Sequence, residues 1–167
     1  MEVGLALGSN MGDRLAHLRE ARSRLLALPG LRLLAQSPVY DTEPVGVPET
    51  FGNISFLNAV IILESRMRPR ALFAHTTRIE REMGRTLSAQ RNAPRQIDLD
   101  IIYAGLLRMN MPDLAVPHPR WALRRFVLAP LASVRPELII PGQSLTVSAI
   151  LRSLRDSARV TELAADW

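Results

Sequence analysis

Two aspartates one residue apart, Asp98 and Asp100, interrupt the apolar run QIDLDIIY at residues 96–103. On a strand successive side chains point to opposite faces, so the two carboxylates share one face while Ile97, Leu99 and Ile101 share the other. Their Cβ atoms should lie roughly 6.5–7 Å apart. Like charges that close are costly unless a cation sits between them. Magnesium suits the pair, because it takes one or two carboxylates and fills its shell with water and substrate phosphates. A solvated sheet face, where paired acids are harmless, is the alternative. The flanks favour phosphate: Arg85, Arg91 and Arg95 precede the strand, and His118, Arg120, Arg124 and Arg125 follow it. A guanidinium matches phosphate oxygens with a planar fork. Phosphoryl transfer needs little beyond a metal, cations and geometry. Arg95 stands out because it immediately precedes the acidic strand, with Pro94 restricting the turn. His118 lies between two prolines in VPHPR and could bind a phosphate or donate a proton. His17 and His75 fall on expected helices, and no histidine pair has zinc-ligand spacing.

A second constellation is Phe56-Leu57-Asn58. On a strand Phe56 and Asn58 face the same way. An aromatic face beside a carboxamide suits a flat heterocycle, whose ring stacks while the amide pairs with its edge. The stretch Thr42-Glu43-Pro44-Val45-Gly46 could add backbone hydrogen bonds to the same ring. A core phenylalanine with a ladder-ending asparagine is the plainer reading.

Composition sets the bounds. The chain has 167 residues, 47% hydrophobic and 22% charged, which fits one globular domain over residues 1–167. All 21 of its basic Lys+Arg residues are arginine. The absence of lysine excludes a Walker-type phosphate loop and any Schiff-base chemistry. A net charge of +5 points to a polyanionic partner, a nucleotide or a nucleic acid. There is no cysteine, so disulfides and thiolate metal sites are excluded. Apolar stretches are too short for a membrane span, and the N-terminus lacks the features of a signal peptide. A cytoplasmic location is expected.

The elements that would carry these residues follow from periodicity. Residues 3–7, 31–40, 56–63 and 97–103 read as strands, and residues 13–28 and 69–83 as amphipathic helices. Pro69 suits a helix start and Gly84 a helix stop. Residues 41–53 and 85–94 read as long loops, more often functional than idle in a compact domain. Ala104-Gly105 should turn the chain into a short partner strand at 106–109. Residues 121–128 and 147–154 form short helical patches. The order β-α-β-β-α-β is that of a ferredoxin-like split βαβ. The fold class expected is therefore α/β (α+β), which identifies no function by itself.

Taken in order, ALGSNMGD (6–13), SPVYDTEPVG (37–46), FLNAV (56–60), RNAPRQIDLDII (91–102) and VPHPRWALRRFVLAPL (116–131) resemble the 6-hydroxymethyl-7,8-dihydropterin pyrophosphokinase family. The resemblance covers nearly the whole chain. It implies a ferredoxin-like three-layer sandwich with a mostly antiparallel central sheet flanked by helices, usually monomeric. It implies transfer of pyrophosphate from ATP to the pterin hydroxymethyl group, with release of AMP, in folate biosynthesis. By the same resemblance Asp98 and Asp100 hold two Mg2+ ions, and Arg85 and Arg95 close over the phosphates. Glu80, Arg91, Ile101, His118 and Arg124 join Arg95 at the ATP site. The pterin stacks between Phe56 and Phe126, with Thr42, Pro44, Val45 and Asn58 around its edge. Gln96 departs from the threonine common in the family at that place.

Two other classes fit the bare layout. An RNA-binding sheet would carry exposed aromatics in RNP-type motifs, but aromatics are 5% and no such motif is present. A two-metal phosphodiesterase could use Asp98 and Asp100. Neither accounts for FLN and VPHP together, so the expected partners are ATP and the pterin, with no nucleic acid and no membrane.

Overall fold

The first strand, β1 (Glu2–Ser9), buries Val3, Leu5 and Leu7 on one face and, beyond Glu2, carries only the small residues Gly4, Ala6 and Gly8 on the other. Both faces are covered, but on the second Tyr103 lies over Gly4 while Ala6 and Gly8 leave room for a ligand. The computed structural model describes residues 1–44, 54–84, 94–156 and 158–167. After β1 come α1 (Arg14–Leu26), β2 (Leu31–Gln36), β3 (Val39–Thr42), β4 (Phe56–Ser65), α2 (Pro69–Glu82) and β5 (Asp98–Ala104). The small pair β6 (Met109–Asn110) and β7 (Ala115–Val116), then α3 (Arg125–Val134), α4 (Val147–Ser153) and β8 (Val160–Ala164), complete the described chain.

Five strands run in the order β5-β1-β4-β3-β8, and β2 joins β4 beside β3. Every pairing in this sheet is antiparallel. One face, built from β1, β4 and β5, packs on Leu18, Ala21 and Leu25 of α1 and Leu72 and Ile79 of α2. The opposite face packs Val60, Ile62 and Ile102 against Val127, Leu128 and Leu131 of α3 and Val147 and Ile150 of α4. The result is three layers, as expected. Local signals explain the helix ends: Asp13 caps α1 by accepting from the Ala16 amide at 3.0 Å, and Pro69 opens α2. Gly84 follows α2 at φ +96, a conformation that glycine adopts freely.

Four expectations need correction. The strand expected at 31–40 breaks at Ser37-Pro38, where the Ser37 hydroxyl accepts from the Val60 amide at 2.9 Å and proline offers no donor. β3 then continues to Thr42, two residues into the stretch expected to be loop. The segment after Gly105 does not pair with β5. Instead the His118 amide donates to the Ile102 carbonyl at 2.8 Å on that edge, and β6 pairs with β7. The helix expected at 121–128 is a 3-10 turn at Trp121–Leu123 and the start of α3, separated by Arg124 in an extended conformation. Finally, β8 lies outside every expectation: it pairs with β3, and Trp167 beyond it is buried with its indole N–H on the Ser37 carbonyl at 2.8 Å.

Candidate functional site

Strand register builds the site. Gly8 of β1 stands between Asn58 of β4 and Asp98 of β5, and Ala6 stands between Val60 and Asp100. Neighbouring strands lie about 4.8 Å apart, so the backbones of β4 and β5 are about 10 Å apart, with the Asn58 and Asp98 side chains facing each other over a floor of small residues. The floor has no room to spare, since a Cβ on Gly8 would lie 2.9 Å from Asn58 Oδ1. As the alternation demands, Asp98 and Asp100 are part-exposed while Ile97, Leu99 and Ile101 are buried in the core beneath.

Three basic groups converge on the acids. Arg95 Nη1 lies 3.0 Å from Asp98 Oδ1, and Arg124 Nη1 lies 3.5 Å from Asp100 Oδ2. His118 Nε2 lies 3.8 Å from the same Asp100 oxygen. Burial, with Arg124 and Arg120 nearby, pushes the His118 imidazolium pKa down to about 4. The ring is therefore neutral at pH 7. Its Nδ1 accepts from the Arg120 amide at 3.1 Å, which leaves the proton on Nε2, facing Asp100. Burial and Arg120 also lower the Arg124 pKa, opposed by Asp100 and Asp98. Arg95 is fixed by its main chain: its amide donates to Asn10 Oδ1 at 2.8 Å, and the Asn10 amide returns a bond to the Arg95 carbonyl at 3.3 Å.

Among the described residues no group of three or more His, Cys, Asp or Glu side chains could hold a metal. Two carboxylates on one face instead suit a hard cation that completes its shell with water and phosphate oxygens, which is the habit of Mg2+. The donor set fits that ion and excludes a soft metal held by protein alone.

At the other end, Phe56 and Thr42 pair across the β3–β4 ladder. The Asn58 amide donates to Thr42 Oγ1 at 2.7 Å, and both residues are buried. This bond uses one of the two Asn58 N–H donors and orients the rest of the carboxamide. Phe126 enters from α3, with the Arg124 guanidinium 5.4 Å from its ring centroid. One cleft, open to solvent, touches Phe56, Asn58, Phe126, Asp98, Asp100 and Arg124 together. It therefore joins a flat apolar slot with an amide edge to an acidic and basic pole.

Thr42 and Arg95 line the same cleft, and His118 sits beside it against Asp100. Pro44 is half-buried and follows Glu43, which does line the cleft. The Ile101 side chain points into the core, so only its main chain can meet a ligand. Glu80 is buried below the strand, where its Oε1 accepts from the Leu99 amide at 2.7 Å and holds the acidic strand from behind. Arg85, Arg91 and Val45 lie outside the described residues. Sequence reasoning missed the floor (Ala6 and Gly8) and Asn10. The signal was present: small residues at period two opposite Leu5 and Leu7 mark a strand face that a ligand approaches. Gln96, the departure noted above, folds over Gly84, where a Cβ would lie 2.6 Å from its Oε1.

Comparisons with known proteins show the family and the fold. Residues 4–136 match the family model of 7,8-dihydro-6-hydroxymethylpterin-pyrophosphokinase. A Bacillus subtilis 2-amino-4-hydroxy-6-hydroxymethyldihydropteridine pyrophosphokinase is 39% identical over 130 residues, 78% of this chain and 75% of that protein. Folate synthesis bifunctional proteins of Pisum sativum and Arabidopsis thaliana are each 40% identical, over 78% and 80% of this chain. The chain spans only about a quarter of the length of those two, 24% and 27%. In fold it resembles Plasmodium falciparum HPPK-DHPS with pteroate, at a TM-score of 0.70 and 15% identity, over 90% of this chain and 42% of that one.

Proposed function

Because the chain belongs to the 7,8-dihydro-6-hydroxymethylpterin-pyrophosphokinase family, we propose that it transfers the pyrophosphate group of ATP to the hydroxymethyl group of 6-hydroxymethyl-7,8-dihydropterin and releases AMP. The step belongs to folate synthesis. The observation that carries the reading is the single cleft with an aromatic and amide slot at one end and paired carboxylates with arginines at the other.

The roles follow from placement. Phe56 and Phe126 stack on the pterin, while Asn58, steadied by Thr42, pairs with its edge. That fixes the hydroxymethyl group toward the acidic pole, across the Gly8 floor. Asp98 and Asp100 would hold Mg2+ arriving with ATP, two ions on this reading. When bound, the metal offsets the polyphosphate charge. Arg95 and Arg124 trade their carboxylate contacts for phosphate oxygens, and neutral His118 donates from Nε2. The substrate oxygen then bonds to the β-phosphorus, the bond from that phosphorus to the α,β-bridging oxygen breaks, AMP departs and the hydroxyl proton passes to water. Arg85 and Arg91 are assigned to the phosphates, Pro44 and Val45 to the pterin, and Glu80 and the Ile101 main chain to the nucleotide. The domain works as one unit over residues 1–167, as a cytoplasmic monomer. Among the described residues no helix is long and apolar enough to cross a membrane.

The test is nucleotide turnover with MgATP, with and without the pterin. Pterin-dependent AMP supports the reading. ADP, or AMP formed equally without pterin, contradicts it.

A further inference from the structure

The pterin end of the cleft depends on a stretch of sheet that runs out of partners. Thr42 pairs with Phe56, the first residue of β4. The β1 ladder reaches only Leu57, opposite Ser9. Phe56 therefore stands one residue beyond the support of β1, with β3 on its other side. Asp41 and Ser55 precede Thr42 and Phe56 in sequence, and by alternation Asp41 points to the α1 face of the sheet. Arg14, the first residue of α1, holds both. Its Nη1 donates to the Ser55 carbonyl at 2.9 Å and to Ser55 Oγ at 2.7 Å. It also lies 3.5 Å from Asp41 Oδ2, and Ser55 Oγ donates to that same oxygen at 3.1 Å.

We propose that Arg14 is a positioning residue for pterin binding: its guanidinium sets the spacing between the end of β3 and the start of β4, and so the places of Thr42, Phe56 and, through Thr42, Asn58. The inference rests on the proposed function and names a determinant of one substrate's affinity. Three features separate this clamp from an ordinary surface ion pair. The Arg14 and Asp41 side chains are only 30% and 27% exposed, so solvent screens them less than a fully exposed pair. The three side chains form a closed set: Ser55 is hydrogen-bonded to both Arg14 and Asp41, and those two are ion-paired with each other. The set grips both stems of the same connection, next to the ladder pair that forms the slot. The outer edge of β3 is held separately, where the Glu43 amide bonds the Arg159 carbonyl and the Arg159 amide bonds Glu43 Oε2, each at 3.1 Å. Arg14 is thus assigned to the β4 side of the slot, on the face of the sheet away from Asp98 and Asp100, and the nucleotide end should not depend on it.

Calorimetry on the whole chain tests this, with 6-hydroxymethyl-7,8-dihydropterin titrated in the presence of Mg2+ and a non-hydrolysable ATP analogue, and the analogue titrated alone. Arg14→Ala should weaken pterin binding about tenfold, and Ser55→Ala about threefold, by loss of charge-assisted hydrogen bonds that fix the slot. Binding of the analogue should change less than twofold. Arg14→Lys should recover part of the loss, since it keeps the charge opposite Asp41 but not the bonds to both Ser55 oxygens. Ser55→Ala keeps the Arg14–Asp41 pair and gives a reading even if Arg14→Ala fails to fold. Pterin affinity unchanged in both variants, or pterin and analogue weakened in parallel, overturns the inference. A wild-type chain that binds no pterin overturns the proposed function itself.

Discussion

Gly8→Ala tests the floor of the cleft with one methyl group. The added Cβ would lie 2.9 Å from Asn58 Oδ1, about 0.5 Å inside ordinary C···O contact. On its other side it would meet Asp98 Cβ at 4.0 Å, a normal packing distance. Strain therefore falls on Asn58 and spares the acidic pole. Asn58 is short, and its amide is tied to Thr42 Oγ1 at 2.7 Å, so it cannot swing aside without stretching that bond or leaving its rotamer. Weakening the hydrogen bond costs about 1 kcal/mol and the rotamer strain a further 0.5–1.5 kcal/mol. The sum, about 1.5–2.5 kcal/mol, corresponds to a loss of pterin affinity of about 10- to 100-fold. The assay is steady-state AMP formation with pterin varied at saturating MgATP, then the reverse. The KM for pterin should rise by that factor and the KM for MgATP by less than threefold. The thermal midpoint should fall by only about 2–4 °C per kcal/mol that reaches the fold. An unchanged pterin KM in a folded Gly8→Ala protein would refute the placement of the ring over Gly8 beside Asn58.

Other consequences are equally direct. Asp98→Asn and Asp100→Asn should each keep the fold and lose at least about 100-fold in turnover, measured as pterin-dependent AMP, because each removes a charge the metal and phosphates need. His118 in the metal-free protein should stay neutral to well below pH 6.5 and titrate near pH 4, read from its imidazole resonances. The unfolded chain takes up that proton near pH 6.5 and the folded chain only near 4. The stability tied to neutral His118 is therefore full above pH 6.5 and is lost as pH falls toward 4. Denaturant midpoints of wild type and His118→Gln should converge or cross over that window. Glu80→Ala should cost about 1–3 kcal/mol by orphaning the buried Leu99 amide, while Glu80→Gln, which keeps an acceptor, should cost less in the same denaturant series.

Much of this architecture is legible in the residues because large and small, or apolar and charged, side chains alternate at the strand period. Asp98-Leu99-Asp100 fixes which face of β5 is wet, and FLN fixes the matching face of β4. Asp13, Pro69 and Gly84 mark helix ends by chemistry that needs no tertiary context. What escaped has a physical reason in each case. β8 reads VTELA, whose three central residues are exposed on a sheet edge, so it shows no apolar alternation and exists through its pairing with β3 and the anchoring of Trp167. The break at Ser37-Pro38 depends on a hydroxyl reaching Val60, far away in sequence. Glu80 looks like one more polar residue on an amphipathic helix until β5 supplies the amide it accepts. The tie of Asn10 to Arg95 joins positions 85 residues apart, and no local pattern announces it.

The central claim is that the β-phosphorus of ATP is attacked by the substrate held between Phe56 and Phe126. ATP labelled separately on its β- and γ-phosphates, incubated with Mg2+ and 6-hydroxymethyl-7,8-dihydropterin, tests it most directly. Both labels should appear together on the pterin product, with unlabelled AMP formed in equal amount. Transfer of the γ-label alone, with labelled ADP left behind, would contradict the account.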